Sequence, residues 1–258
     1  MRLVVTSQLS NGVTTITFNR PDKLNAINLD VFDRLTDCMR QANEDGNSIV
    51  TAITGQGRYF TSGLDLRIFE ESARDWSAAP RVAQTFIDHA TPFLRSLIDH
   101  QKPLVALVNG DAVGVGVTML AHCDLVLAVD TATFLCPFVP IGIVIEACSS
   151  LLFPHIMGRG RATETLLLAE KHTAQEMQAR NLVTRVCPQD NFNEESRRIL
   201  KKMTDKPRQS LHVSRELMVG PQVKTLHRAN DMELEVLQRR VQEEEFRQFL
   251  LKFFKIEK

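Results

Sequence analysis

The sequence predicts an α/β fold that continues into a helical tail. Two observations predict the α/β part: short β-branched or apolar runs alternate with stretches of helical spacing, and glycine-bearing clusters follow two of those runs, at 60–66 and 108–117. The third concerns the tail, since beyond about Arg161 strand-like runs give way to amphipathic, highly charged helices.

The elements follow in order. Leu3 to Leu9 and the alternating Val13 to Phe18 flank Asn11-Gly12, the dipeptide of a tight hairpin turn. Leu29, Phe32, Leu35 and Met39 recur at helical spacing over Leu29 to Ala42, with Asn28 as N-cap and Gly46 beyond the end. A strand over Ile49 to Thr54 follows. The polar stretch Glu70 to Pro80 reads as a mobile surface loop before a helix over Val82 to His89, and Pro92 to His100 reads as another helix. Then come a buried strand (Leu104 to Val108), a short helix (Val117 to Cys123) and a strand (Leu125 to Val129). Helices over Ala162 to Ala169, Ala174 to Asn181, Asn193 to Met203 and, as one long element, Ala229 to Phe254 form the tail. Their apolar stripes are core-facing, and Glu243-Glu244-Glu245 is a solvated face. This organisation divides the chain into a core, 1–195, that carries the site and a helical region, 196–258.

Composition narrows the function. The 258 residues carry 31 basic and 31 acidic side chains, so no electrostatic footprint for nucleic acid is present. Five cysteines without a C-x-x-C pair suit a reducing compartment. No apolar run is long enough to span a membrane, and no signal or transit peptide opens the sequence. The end, Phe254-Lys255-Ile256-Glu257-Lys258, is not an S-K-L type address. The expectation is a peroxisomal or cytoplasmic protein, with the mitochondrion less favoured. H-E-x-x-H, Cys/His clusters, G-x-S-x-G and the P-loop motif are all missing, so the sequence offers no metal site, serine elbow or nucleotide phosphate loop. Gly114-x-Gly116 begins a dinucleotide fingerprint, but Met119 occupies the third glycine position.

What remains are the two glycine clusters, Phe60-Thr61-Ser62-Gly63-Leu64-Asp65-Leu66 and Gly110-Asp111-Ala112-Val113-Gly114-Val115-Gly116-Val117. Strand ends of this kind can aim backbone N–H groups at one developing oxyanion. Beyond them Glu146 stands in the apolar run Gly142-Ile143-Val144-Ile145-Glu146-Ala147-Cys148. Burial there would raise its pKa toward that of a useful general base. An equally ordinary role is a first-turn acid of the helix through Ser149 to Ile156.

These blocks, with Asn19-Arg20-Pro21-Asp22-Lys23-Leu24-Asn25-Ala26 before them, resemble the crotonase (enoyl-CoA hydratase/isomerase) superfamily in order and over most of the chain. The resemblance implies a spiral of ββα units with C-terminal trimerising helices, an acyl-CoA substrate, and a homotrimer or dimer of trimers. It places Lys23, Asn25 and Ala26 near the CoA nucleotide and assigns the oxyanion hole to the N–H groups of Leu64 and Val115. Ser62, Asp65, Leu66, Gly114 and Phe138 complete the implied substrate- and CoA-binding set. Asp65 also has the ordinary reading of a carboxylate holding its own turn. Where a hydratase of this superfamily carries two carboxylates, this sequence has Thr118 and Phe138. Pro137-Phe138, Gly142, Glu146, Cys148-Ser149-Ser150 and Phe153-Pro154-x-Ile156-Met157 resemble the peroxisomal 3,2-enoyl-CoA isomerase branch, with Ile145 in place of the usual proline. That likeness favours Glu146 as the base that shifts a 3-enoyl-CoA double bond to trans-2-enoyl-CoA in unsaturated fatty acid β-oxidation. It implies no metal or redox cofactor, coenzyme A being part of the substrate. The competing readings are a non-catalytic acyl-CoA sensor or scaffold and an atypical hydratase.

Overall fold

The computed structural model describes residues 3–256; Met1, Arg2, Glu257 and Lys258, at the ends of the two expected regions, lie outside them. The strands are β1 (Val5–Ser10), β2 (Val13–Phe18), β3 (Val50–Gly55), β4 (Tyr59–Thr61), β5 (Leu104–Val108), β6 (Asp111–Val113), β7 (Leu125–Val129), β8 (Thr133–Leu135), β9 (His172–Thr173) and β10 (Arg185–Cys187). The helices are α1 (Leu29–Glu44), α2 (Glu70–Arg74), α3 (Ala79–Ile98), α4 (Val115–Thr118), α5 (Ser149–Met157), α6 (Arg159–Leu166), α7 (Ala174–Ala179), α8 (Phe192–Thr204), α9 (Arg208–Val219), α10 (Val223–Arg240) and α11 (Glu244–Phe254).

Two sheets share the strands. The larger runs β1-β2-β3-β5-β7-β10, parallel beyond the first antiparallel hairpin, and the smaller runs β4-β6-β8-β9. Consecutive strands β3/β4, β5/β6 and β7/β8 therefore each send one member to each sheet before a helix follows, which is the expected spiral of ββα units. The hairpin turn has Asn11 and Gly12 at φ 51° and 79°, a pair of left-handed residues whose twist matches that of the strands they join. Asn28 caps α1 by accepting the Val31 N–H at 3.1 Å.

Three sequence expectations are corrected. The two helices expected either side of Thr91 are a single helix, α3, with Pro92 inside it. Proline removes one helical hydrogen bond there, but Val82, Ala83, Phe86, Ala90, Phe93, Leu94 and Leu97 are all buried on one stripe, and that burial outweighs the break. Residues Glu70 to Pro80, expected as a mobile loop, instead form α2, a short turn in which the Asp75 carboxylate accepts the Ser77 N–H, and the start of α3. Buried Phe69 anchors the stretch by packing edge-on against Phe86 and Phe246. Finally, the long C-terminal helix is broken at Val241–Glu243 into α10 and α11. Arg240 holds the corner by pairing with both Glu243 and Glu245, so the acidic run marks a bend. α11 then folds back until its backbone meets Gly142, where a Cβ would lie 3.1 Å from Glu245 C and Phe246 N.

Candidate active site

The two glycine clusters meet because glycine lets their backbones touch. Gly63 has φ 78°, and a Cβ on it would lie 2.5 Å from the Val113 carbonyl oxygen; one on Gly116 would lie 2.3 Å from the Thr61 side chain. Between the clusters and the helices opens a cavity of about 190 Å³. Ser62, Leu64, Leu66, Gly114, Val115, Phe138 and Glu146 all line it, so seven of the residues singled out in the sequence converge.

The amide groups of Leu64 and Val115 are left open by the secondary structure around them. Leu64 lies opposite Ile27 in a parallel bridge whose bonds use the Ile27 and Asp65 amides, leaving the Leu64 N–H on the other side. Val115 is the first residue of α4, where an N–H has no partner within the helix.

Glu146 follows the turn after β8 and is 6% exposed. Its Oε1 accepts a 2.6 Å hydrogen bond from the Thr118 hydroxyl at the end of α4. Burial pushes its carboxyl up to about 8, against the Thr118 bond, which lowers it, and with a further push from the charge of Glu233. Glu146 is thus not the cap of α5. Its backbone carbonyl accepts the Ser149 N–H at 3.1 Å, while the cap comes from Glu233 on α10, whose carboxylate accepts the N–H groups of Cys148 (2.7 Å) and Ser150 (2.9 Å). Between them Ala147 and Cys148 hold φ 57° and 59°. Such left-handed backbone costs a non-glycine residue about 1–2 kcal/mol, and it persists only where neighbours hold it in place. His122, kept neutral by a burial that pushes it down to about 4, supplies one hold with a 2.8 Å bond from Nε2 to the Ala147 carbonyl.

Four expected binding residues are not brought to the cavity. Asn25 is buried as a staple: its amide donates to the carbonyls of Gln56, Tyr59 and Phe60, and its Oδ1 accepts the Arg20 N–H. Lys23 and Ala26 lie on the turn around it, Lys23 exposed and Ala26 giving its carbonyl to Arg20. Asp65 points away from the cavity, held by a two-pronged pair with Arg67 at 2.8 and 2.6 Å and by Arg20 at 3.5 Å. Those arginines offset the burial and keep its carboxyl below the usual range, the turn-holding role. Conversely, sequence spacing did not place Phe32, Phe86, Ala90 and Leu94 of α1 and α3, or Leu234 and Leu237 of α10, on the cavity wall. Their helical periodicity marked them as apolar faces without saying what each face meets.

Among the described residues no cluster of three or more His, Cys, Asp or Glu is placed to hold a metal ion, and no helix is long and apolar enough to cross a membrane.

A ββα spiral with a cavity at its paired glycine turns defines a crotonase-fold protein. The chain belongs to the enoyl-CoA hydratase/isomerase family, whose model matches residues 8–258. It is 39% identical over 243 residues to enoyl-CoA delta isomerase 2 of Rattus norvegicus, covering 94% of this chain but spanning only 61% of that protein's length. It is 38% identical over 251 residues to the peroxisomal enoyl-CoA delta isomerase 3 of Mus musculus, covering 97% of this chain and 77% of that one. An enoyl-CoA hydratase/isomerase from Pseudoalteromonas atlantica T6c has the same fold, with a TM-score of 0.87 at 30% identity over 98% of this chain and 97% of the other.

Proposed function

We propose that the chain is an enoyl-CoA delta isomerase that converts 3-enoyl-CoA to trans-2-enoyl-CoA. One observation carries the reading: among the described residues Glu146 is the sole carboxylate on the wall of an apolar cavity that Leu64 and Val115 also line. The identity to proteins named enoyl-CoA delta isomerase supports it.

The thioester oxygen accepts the Leu64 and Val115 N–H groups. Glu146 takes the proton from C2; the C2–H electron pair forms C1=C2 as the thioester carbonyl pair moves onto the oxygen held by the two amides, giving a dienolate in which C3=C4 is still intact. The same carboxyl then returns the proton to C4: the oxygen pair re-forms the carbonyl, the C1=C2 pair becomes C2=C3, and the C3=C4 pair makes the new C4–H bond. One base serves both carbons, which lie on one side of the extended chain. A carboxyl raised to about 8 is a stronger base than an exposed one, and the apolar walls exclude water that would add to the double bond. Thr118 and Phe138 stand where two carboxylates would be needed to hold and activate that water, which disfavours hydration. Proton transfer of this kind needs no metal or redox cofactor.

Phe32, Phe86, Leu94 and Leu234 form the wall for the acyl chain. The CoA nucleotide lies along the Lys23–Ala26 turn, which abuts the cavity rim through the 2.9 Å bond from the Ser62 N–H to the Leu24 carbonyl. Self-association as a trimer or a dimer of trimers is supported by large apolar side chains exposed on the C-terminal helices, including Leu217, Met218 and Met232. A peroxisomal or cytoplasmic place in unsaturated fatty acid β-oxidation is supported by the likeness to the peroxisomal mouse isomerase.

Incubation of the purified protein with 3-hexenoyl-CoA tests the reading, with 2-hexenoyl-CoA hydration measured in parallel. Formation of the conjugated 2-enoyl thioester without hydration is expected. Tight CoA-ester binding with turnover of neither substrate would overturn it in favour of a non-catalytic acyl-CoA binder.

A further inference from the structure

Glu233 is 7% exposed on α10, yet among the described residues it joins no ion pair. Its two carboxylate oxygens are spent on one short stretch of chain, accepting the Cys148 and Ser150 amides that open α5 together with the Ser150 side chain. A buried carboxylate without a cation is a costly way to cap a helix when a serine, threonine or aspartate at the cap position would do. Here Cys148 holds that position and its side chain accepts no N–H of α5. The cap therefore reaches α5 from another helix, and that helix also walls the cavity with Leu234 and Leu237.

The stretch it grips begins two residues after Glu146, across the left-handed pair Ala147 and Cys148. That pair turns the chain so that the Glu146 carboxylate faces the cavity and the Thr118 hydroxyl, while its main chain runs on into α5. Unpinned, Ala147 and Cys148 relax toward ordinary backbone angles, and the carboxylate swings with them. His122 pins one end through the Ala147 carbonyl, and Glu233 pins the other. We infer that Glu233 is a positioning residue for the base, holding the Glu146 carboxylate at the reacting carbons by fixing the left-handed turn behind it. This rests on the isomerase reading of Glu146.

Three variants and a double variant test the inference, with 3-hexenoyl-CoA as the probe. Glu233→Gln keeps the side-chain volume but turns an NH2 group toward one of the two amides; Glu233→Ala releases both. The expected result is a kcat lowered at least tenfold in Glu233→Gln and further in Glu233→Ala, with KM within threefold of the parent protein. Because Glu233 acts through Glu146, adding Glu233→Gln to Glu146→Gln should lower the residual rate by less than twofold. A purely structural glutamate would instead cost the same factor in both backgrounds, and that result overturns the inference. So does a folded Glu233→Gln protein with kcat within twofold of the parent while Glu146→Gln is inactive, a result that leaves the isomerase reading standing. Should Glu233→Ala not fold, the isosteric variant decides by the same thresholds. Full turnover in Glu146→Gln would overturn both readings together.

Discussion

The Thr118 hydroxyl donates a 2.6 Å hydrogen bond to Oε1 of Glu146, and Thr118 ends the same four-residue helix whose first N–H belongs to Val115. One short element thus presents an amide at one end and a ligand for the carboxylate at the other. Their relative placement is set by a single turn of backbone.

Thr118→Val removes the contact that favours the charged carboxylate and leaves burial, which raises its pKa, unopposed on that side. The rising limb of kcat/KM, expected near pH 8 in the free enzyme, should move to higher pH. Activity at pH 7 should then fall by about tenfold for every pH unit the limb moves. A pH–rate profile of both proteins measures this, and an unmoved limb would contradict it.

Glu146→Gln should remove nearly all isomerase turnover while leaving CoA-ester binding largely intact, as read by single-turnover assays and calorimetry. The same variant has a stability signature. A carboxyl near 8 in the folded protein, against an ordinary value of 4.5, binds its proton more tightly folded than unfolded. Its contribution is fully present below pH 4.5 and is lost as pH rises through 8. Glu146→Gln should therefore be more stable than the parent at about pH 8.5, by a few kcal/mol at about 1.4 kcal/mol per pH unit, with the gap closing toward the ordinary carboxyl range. Urea unfolding at the two pH values reads the difference.

Val115→Pro deletes the amide expected to bind the thioester oxygen. Proline is well tolerated at the first position of a helix, where the N–H has no helical partner to lose. The expected outcome is a kcat lowered by about 10²–10³, the usual cost of one oxyanion donor, in a protein whose circular dichroism is unchanged. A rate within a factor of three would place the oxygen elsewhere.

Phe86 is a wall residue that also contacts Phe32 and Phe69 in the core, with ring centroids 6.2 and 5.4 Å away. Phe86→Leu should lengthen the cavity and raise kcat/KM for a 3-decenoyl-CoA relative to 3-hexenoyl-CoA several-fold, at a stability cost of about 1 kcal/mol. An unchanged ratio in a competition assay would mean that the acyl chain runs elsewhere.

Local features were legible where the physical cause is local. β5 and β7 fall on the residues that their apolar runs mark, and α1 begins after its Asn28 cap. The continuity of α3 through Pro92 was not, because the burial that outweighs the proline comes from α1 and α10 packing on it. Nor was the break after Arg240, since α11 turns back to meet Gly142, a residue remote in sequence.

Glu146 shows the division most clearly. The motif blocks in their order carried the resemblance to one superfamily, while residue spacing and composition determined that a lone acid sits in an apolar run just before a helix and that two glycine clusters lie upstream. They left two roles open for the acid, cap or base. Tertiary structure removed the first by bringing Glu233, 85 residues beyond Cys148, onto the helix terminus, and it set the Thr118 hydroxyl against the carboxylate. A helix N-terminus needs an acceptor but does not specify which residue supplies it, so only the packing of α10 could show that Glu146 was free to face the cavity.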